Sequence, residues 1–346
     1  MRILIVKLSA IGDVVHTLPA AALLKRALPE ARIAWAVGPR AGAILKDSPV
    51  IDELIELQTR PSIGGVGAGI KPVNGAGRFD IAIDFQGLIK SGLVAFASRA
   101  KRRIGFETSD LREKASKLFL TEQVETSEFR HVIDKNLALA RAAIADSQNA
   151  NAPTSNDGYE FPIALSPEDE RFAETVAADQ RGPFIIINPG GGWPTKLWAT
   201  ERYAELADWL WSDCALASVV TYGPGEEELA RRVVASSRSS AVRALASTLK
   251  QFLALARRAA LFVGGDTGPL HLAAASGTPI VGLFGPTSAE RNGPFDKRDI
   301  AVGRDLWCRA DCHRRSCWHW ECMDIPVSDV KQAVLRRLER AQEVAR

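Results

Sequence analysis

Two stretches of the sequence gather side chains that handle protons and anions. In KLSAIGDVVHTLPA, the apolar run Arg2 to Lys7 reads as a buried parallel strand, a turn spans Ser9 to Gly12, and Asp13 then stands at the start of a helix. A carboxylate at the carboxyl end of a strand is placed to take a proton. It is also an ordinary first-turn carboxylate, stabilised by the helix dipole by only about 0.3–1 kcal/mol. The second stretch, LFVGGDTGPLHLAAASGTPIVGLFGPT from Leu261 to Thr287, reads as strand, glycine-rich turn, short helix and second strand. Gly264, Gly265 and Gly268 let the chain turn sharply, and the amides of Thr267 to Leu270 open the helix. Such a helix start favours an anion, above all a phosphate. Asp266 and His271 sit beside it, although Asp266 taken alone is equally a helix cap.

Further polar groups recur at strand ends. PFIIIN leads into PGGGWPTKLW, where Gly190 to Gly192 form a second glycine-rich loop and Lys196 follows. A lysine beside exposed main-chain amides is a simple phosphate cradle. The spacing is not that of a P-loop. Glu226 follows the strand Ala217 to Tyr222 and opens a helix, where it can bind a ribose hydroxyl pair or act as a first-turn carboxylate. In the first half, Gln86, Arg60, Lys71 and Arg112 lie in loops that suit an acidic partner, or are simply solvated surface.

The elements that must position these groups alternate between strand and helix. In the first half, strands are expected at Arg32 to Val37, Ile55 to Leu57, Asp80 to Phe85 and Arg103 to Phe106, with a helix from Glu128 to Ala145. The second half repeats the theme with strands at Pro183 to Asn188, Ala217 to Tyr222, Ala241 to Leu245, Leu261 to Gly265, Pro279 to Phe284 and Ile300 to Gly303. This is an α/β chain of 346 residues, enough for two domains. The glycine-rich stretch around Arg60 reads as a long surface loop. Asp146 to Gly158 has linker composition, which sets domains at 1–158 and 159–327, with 328–346 as a closing helix.

A net charge of +3 points to no nucleic-acid partner. MRILIVK runs directly into a turn without the apolar core of a signal peptide, and no apolar run reaches the roughly 18 residues of a spanning helix, so a cytoplasmic protein is expected. Cys308, Cys312, Cys317 and Cys322 form C-x3-C-x4-C-x4-C, interleaved with His313 and His319. Four thiolates can hold a metal, but the paired C-x2-C knuckles of common zinc sites are missing. Disulfides and a purely structural cluster are the other readings, and the last is preferred.

The long motifs KLSAIGDVVHTLPA, FDIAIDFQGLIKSG, NPGGGWPTKLWATERYAEL and GGDTGPLHLAAASGTPIVGLFGPT span nearly the whole chain. Together they resemble the bacterial lipopolysaccharide heptosyltransferases, glycosyltransferase family 9. RRIGFETSDLREKASKLF is closer to the members that add the first heptose (heptosyltransferase I) than to those that add the second. The resemblance implies a GT-B fold, in which two Rossmann-like doubly wound domains face each other across a cleft, with acceptor on the amino half and nucleotide sugar on the carboxyl half. It implies ADP-heptose as donor, Kdo-lipid A as acceptor, no metal or other cofactor, and transient contact with the cytoplasmic face of the inner membrane. Carried over residue by residue, Asp13 is the general base and Lys196 contacts donor phosphate. Asp266, Thr267, Gly268 and His271 form the donor-binding element, and Glu226 meets the adenosine ribose. Arg60, Lys71, Gln86 and Arg112 are expected on the acceptor side.

The expected chemistry is inverting sugar transfer, with Lys196, the amides of Thr267 and Gly268, and His271 stabilising charge on the departing ADP. No D-x-D motif occurs in the chain, in keeping with a leaving group stabilised without metal. Two other classes compete with this reading. A non-catalytic nucleotide-sugar binding protein would not need the Asp13, Lys196 and Asp266 set. A dinucleotide oxidoreductase would carry G-x-G-x-x-G in its first turn, where this chain has LSAIGD.

Overall fold

A computed structural model of the chain describes residues 1–58, 70–145, 158–180, 182–308, 312, 315–318 and 321–345. They form two compact units, Met1–Ala164 and Leu165–Arg346. Strands of the first unit are β1 (Arg2–Val6), β2 (Arg32–Val37), β3 (Glu53–Glu56), β4 (Ile81–Asp84), β5 (Arg102–Phe106) and β6 (Glu122–Val124). Those of the second are β7 (Phe184–Asn188), β8 (Ala217–Tyr222), β9 (Val242–Ala246), β10 (Leu261–Gly265), β11 (Ile280–Leu283) and β12 (Ile300–Val302).

Each unit is one parallel six-stranded sheet. The first runs in the order β3-β2-β1-β4-β5-β6, and the second β9-β8-β7-β10-β11-β12. These are the same winding, 3-2-1-4-5-6, in which the strand order reverses between the first and fourth strands. Ligands of such sheets bind outside the carboxyl ends of the strands at that reversal. The β1/β4 and β7/β10 pairs therefore mark where chemistry is to be sought in each unit.

The continuous apolar runs of β1, β4, β7 and β10 follow from this arrangement, because helices cover both faces of each sheet. Ile3, Leu4, Ile5 and Val6 are fully buried, as are Ile185, Ile186 and Ile187 and then Leu261, Phe262 and Val263. A core on the first sheet joins Leu4, Val6, Leu8, Val73 and Phe79. One on the second joins Ile187, Val263, Trp198, Tyr203, Ile325 and Val330.

The division between the units falls later than composition suggests. Residues 159–164 belong to the first unit, where Ser48 Oγ donates to Pro162 O at 2.7 Å and Tyr159 Oη donates to Asp134 at 2.8 Å. The expected linker lies outside the described residues except for its last member, Gly158. Strand β6 was not anticipated; its sequence, Glu-Gln-Val, is an edge strand without an apolar face. The final helix, Val327–Ala345, packs on the second unit's sheet. There Arg337, only 3% exposed, pairs at 2.7 Å with Asp299, itself 3% exposed, which also accepts the Ile280 amide at the start of β11. Burial pushes the Asp299 carboxyl up to about 6 despite that partner.

Candidate functional site

In the first unit the polar groups converge where β1 and β4 end. Asp13 is the third residue of the short helix Ile11–Val15, and one carboxylate oxygen accepts the Ala10 amide at 3.1 Å. That is the reach-back of a capping box, so the modest helix-start role is filled. The other oxygen lies 3.9 Å from the ammonium of Lys7, and the side chain keeps 27% exposure. Lys7 itself is buried, and it donates to Phe85 O at 2.7 Å. At the end of β4, Asp84 is fully enclosed. It accepts the Gln86 and Gly87 amides at 2.9 and 3.2 Å and the Ser91 hydroxyl at 3.0 Å. Burial raises its carboxyl to about 6, against the lowering pull of those donors and of Lys7.

Gln86 departs from expectation. Its side chain is 5% exposed and turned onto the β1 loop, accepting from Leu8 N at 2.7 Å and Ser9 N at 3.3 Å while donating to Ser9 O at 2.8 Å. It grips the loop that carries Asp13, and its amide is spent on main chain rather than offered to an acceptor. Arg112 is exposed, and its main chain runs past Gly87, whose φ of +68° favours glycine. Lys71 is exposed at the start of the helix at 70–75, and Ala76 just beyond that helix accepts from Arg2 at the amino end of β1. Arg60 lies outside the described residues. Lys7 was not singled out from the sequence, although a lysine closing an apolar strand was the available signal.

In the second unit, the loops after β7, β8 and β10 meet. Lys196 Nζ donates to both the main-chain oxygen and the carboxylate of Asp266, each at 2.8 Å. The other carboxylate oxygen lies 3.0 Å from His271 Nε2. Asp266 and His271 are each 5% exposed. Burial would push the Asp266 carboxyl up, but His271 and Lys196 outweigh it and hold the group well below the usual carboxylate range. The ammonium also stands 4.7 Å over the Trp193 ring. Two residues on, Trp198 is fully packed: its Nε1 donates to Ile325 O at 2.9 Å and its ring meets Tyr203 edge-on.

Thr267 caps the helix Gly268–Ala275, and its buried hydroxyl has no hydrogen-bond partner among the described residues. Position 269 is proline, so that residue offers no N–H. Glycine at 268 and leucine at 270 supply the helix-start amides instead of an unbroken row. Glu226 caps the helix Glu227–Ser236 and accepts the Gly223 amide at 3.2 Å. A side chain at Gly190 would put its Cβ 2.5 Å from that carboxylate, so glycine there lets the β7 loop lie directly on Glu226. Lys196, Glu226, Asp266, Thr267, Gly268 and His271 thus all stand at the carboxyl ends of β7, β8 and β10.

The arrangement suits an anionic nucleotide ligand. An ammonium is fixed on Asp266, the residue before Thr267 and its helix start, and the Glu226 carboxylate stands after β8, where dinucleotide folds place the acid that binds a ribose. Residues 74–319 match the model of glycosyltransferase family 9 (heptosyltransferase). The chain belongs to that family. This family 9 glycosyltransferase is 28% identical over 329 residues to lipopolysaccharide heptosyltransferase 1 of Pseudomonas aeruginosa, covering 92% of this chain and 87% of that one. It is 26% identical over 320 residues to lipopolysaccharide heptosyltransferase 1 of Escherichia coli K12, covering 90% and 94%. Among solved structures, E. coli heptosyltransferase WaaC with ADP aligns with a TM-score of 0.74 and 25% identity, over 97% of this chain and 100% of that one. The family 9 glycosyl transferase of Veillonella parvula, 23% identical, shares the fold at a TM-score of 0.79, over 98% and 97%. The transferase has the GT-B fold class, with two Rossmann-like domains.

Among the described residues no disulfide joins the four clustered cysteines. Burial and the neighbouring thiols raise the Cys322 thiol, which packs against the second core. Among the described residues no group of three or more ligating side chains could hold a metal ion. His313 and His319 lie outside those residues. Among the described residues, too, no helix is long and apolar enough to cross a membrane.

Proposed function

We propose that the protein is an inverting heptosyltransferase of lipopolysaccharide inner-core synthesis, moving heptose from ADP-heptose to the Kdo residue of Kdo-lipid A. The buried Lys196–Asp266–His271 set at the β7/β10 reversal carries this reading, because it fixes a cation where a diphosphate would lie. Support for the donor comes from the WaaC neighbours, described as bound to ADP and to ADP-2-deoxy-2-fluoro heptose. Support for the first-heptose reaction comes from relatives named heptosyltransferase 1.

In the proposed step, Asp13 takes the proton of a Kdo hydroxyl as that oxygen attacks the anomeric carbon of the donor. The new glycosidic C–O bond forms as the bond to the diphosphate breaks, and ADP leaves with the electron pair. Lys196, the amides of Thr267 and Gly268, and the Thr267 hydroxyl hold the charge that grows on the diphosphate. Glu226 holds the adenosine ribose, Arg112, Lys71 and Arg60 meet acceptor phosphates or carboxylates, and Gln86 keeps Asp13 in register. The enzyme would act in the cytoplasm at the inner-membrane face.

The test incubates the purified protein with ADP-heptose and either Kdo-lipid A or an acceptor that already carries one heptose. Mass spectrometry should find one added heptose on the first acceptor, with equimolar ADP. Addition only to the second would make the protein a heptosyltransferase II, a name borne by a Haemophilus ducreyi relative at 25% identity. ADP-heptose binding without transfer to either would leave a binding protein.

A further inference from the structure

The residues gathered at the ends of β7, β8 and β10 are short of positive charge for a diphosphate. Lys196 is their lysine, and its ammonium is already held by the Asp266 carboxylate at 2.8 Å. His271 is turned to the same carboxylate, and Glu226 adds a second acid after β8. The Thr267 hydroxyl and the helix-start amides supply donors but no full charge. An anionic ligand held by such a set calls for another cation.

One stands beside it, on the cysteine-rich stretch. The Arg315 guanidinium lies 5.5 Å from the centre of the Trp193 ring, the same ring over which the Lys196 ammonium stands at 4.7 Å. The Lys196 amide donates to Trp193 O at 3.0 Å, so a tight turn fixes that ring relative to the lysine. The stretch also reaches the opposite flank of the site. A side chain at Gly285, in the loop after β11, would run into Met323 and Cys322, and Met323 is part of the second core. Strands β7 and β11 are the two neighbours of β10. Arg315 on one side, and Cys322 and Met323 on the other, therefore meet the loops that flank Asp266 and Thr267.

The hydrogen-bonding capacity of Arg315 is unspent. Its side chain is exposed, and among the described residues it has no hydrogen-bond or ion-pair partner. A guanidinium over an indole engages the ring through its charge and keeps its N–H fork, a shape that matches a pair of phosphate oxygens. We propose that Arg315 is a further donor ligand, its guanidinium donating to the diphosphate of the bound nucleotide with Trp193 as the shelf that holds it. It supplies the charge that Asp266 takes from Lys196. The assignment rests on the nucleotide-sugar reading of this site given above.

Calorimetry of the full-length protein with ADP tests it, with adenosine, followed by nuclear magnetic resonance titration, as the ligand without phosphate. Arg315→Gln should weaken ADP binding by about tenfold or more and leave adenosine within about twofold. Arg315→Lys, which keeps the charge without the fork, should recover part of that loss. Trp193→Leu should weaken ADP as well, and its combination with Arg315→Gln should cost less than the two losses multiplied, because a shelf matters less once its guanidinium is gone. Arg336→Gln, at an exposed position of the last helix, removes the same charge elsewhere and should leave ADP affinity unchanged. Melting without ligand should be alike in wild type and Arg315→Gln, while the rise in Tm given by ADP should be smaller in the variant. Full ADP affinity in Arg315→Gln, an equal loss for adenosine, or an equal loss in Arg336→Gln would each overturn the assignment. If the wild type transfers heptose while Arg315→Gln binds ADP as tightly, the assignment alone fails. A wild type that binds neither ADP nor ADP-heptose would remove the proposed function and this ligand with it.

Discussion

The ammonium of Lys196 is bound at 2.8 Å to both the carboxylate and the main-chain oxygen of Asp266, seventy residues away in the chain. Two loops that belong to different strands are thereby locked at the β7/β10 reversal, and the charge proposed to meet the donor diphosphate is held in an ion pair. Removing one partner leaves a buried charge unanswered, so Asp266→Asn should destabilise the protein by about 3–5 kcal/mol in denaturant unfolding. Because the native carboxyl is held below its ordinary range, its contribution is present above about pH 4 and is lost as pH falls below that value. The wild type should lose stability more steeply on acidification than Asp266→Asn. Equal slopes would mean that the pair is not what holds the loops.

Lys196→Ala should weaken donor use more than it weakens the fold. With Asp266 still bonded to His271, the loop keeps one of its ties. Steady-state kinetics should give a higher KM for ADP-heptose and a lower kcat, with kcat/KM down by roughly 10²–10³.

Asp13→Asn preserves the size of the cap while removing the proposed base. Turnover should fall by about 10²–10⁴ with donor affinity, read by calorimetry with ADP, unchanged. Near wild-type turnover would take Asp13 out of the proton-transfer role.

Gln86 separates two roles by kinetics. If it holds the Asp13 loop, Gln86→Ala should lower kcat by about tenfold or more at nearly constant acceptor KM, since a misplaced base slows chemistry rather than binding. A raised acceptor KM with unaltered kcat would restore it to the acceptor contacts.

Asp84 supplies a pH signature of the opposite sign to Asp266. Its carboxyl is raised to about 6 in the folded protein, so its contribution to stability is full below about pH 4 and is lost as pH rises through about 6. A two-unit difference corresponds to roughly 3 kcal/mol. Asp84→Asn, which can still accept the Gln86 and Gly87 amides, should flatten this part of the stability curve. An unchanged curve would mean that Asp84 is ionised throughout.

Much of this was legible before any coordinates, for a local reason. Apolar runs bounded by glycine and aspartate mark parallel strands and their carboxyl ends, so Asp13, Lys196, Glu226 and Asp266 could be placed at strand ends from their neighbours alone. Long-range partnership was not legible. Nothing near Gln86 indicates that its amide turns to main chain 77 and 78 residues earlier, and a polar side chain after a strand looks the same whether it faces ligand or loop. Lys7 hid in an apolar strand because its ammonium is answered by Phe85 O and Asp13, both supplied by folding. Strand β6 carries no periodic signal, since an edge of three residues is defined by its neighbour Ile104–Phe106 and not by its own composition. The tail read as a polar amphipathic helix, yet Arg337 within it is among the most buried charges of the second unit.

That arginine has a practical consequence. The last helix is a structural wall rather than an appendage, because Arg337 answers an acid that also anchors the first amide of β11. Expression clones shortened before Val334 would strip a flank from β11 and β12 and leave Asp299 buried without its arginine. They should be recovered in inclusion bodies, whereas trimming confined to the final few residues should leave yield untouched.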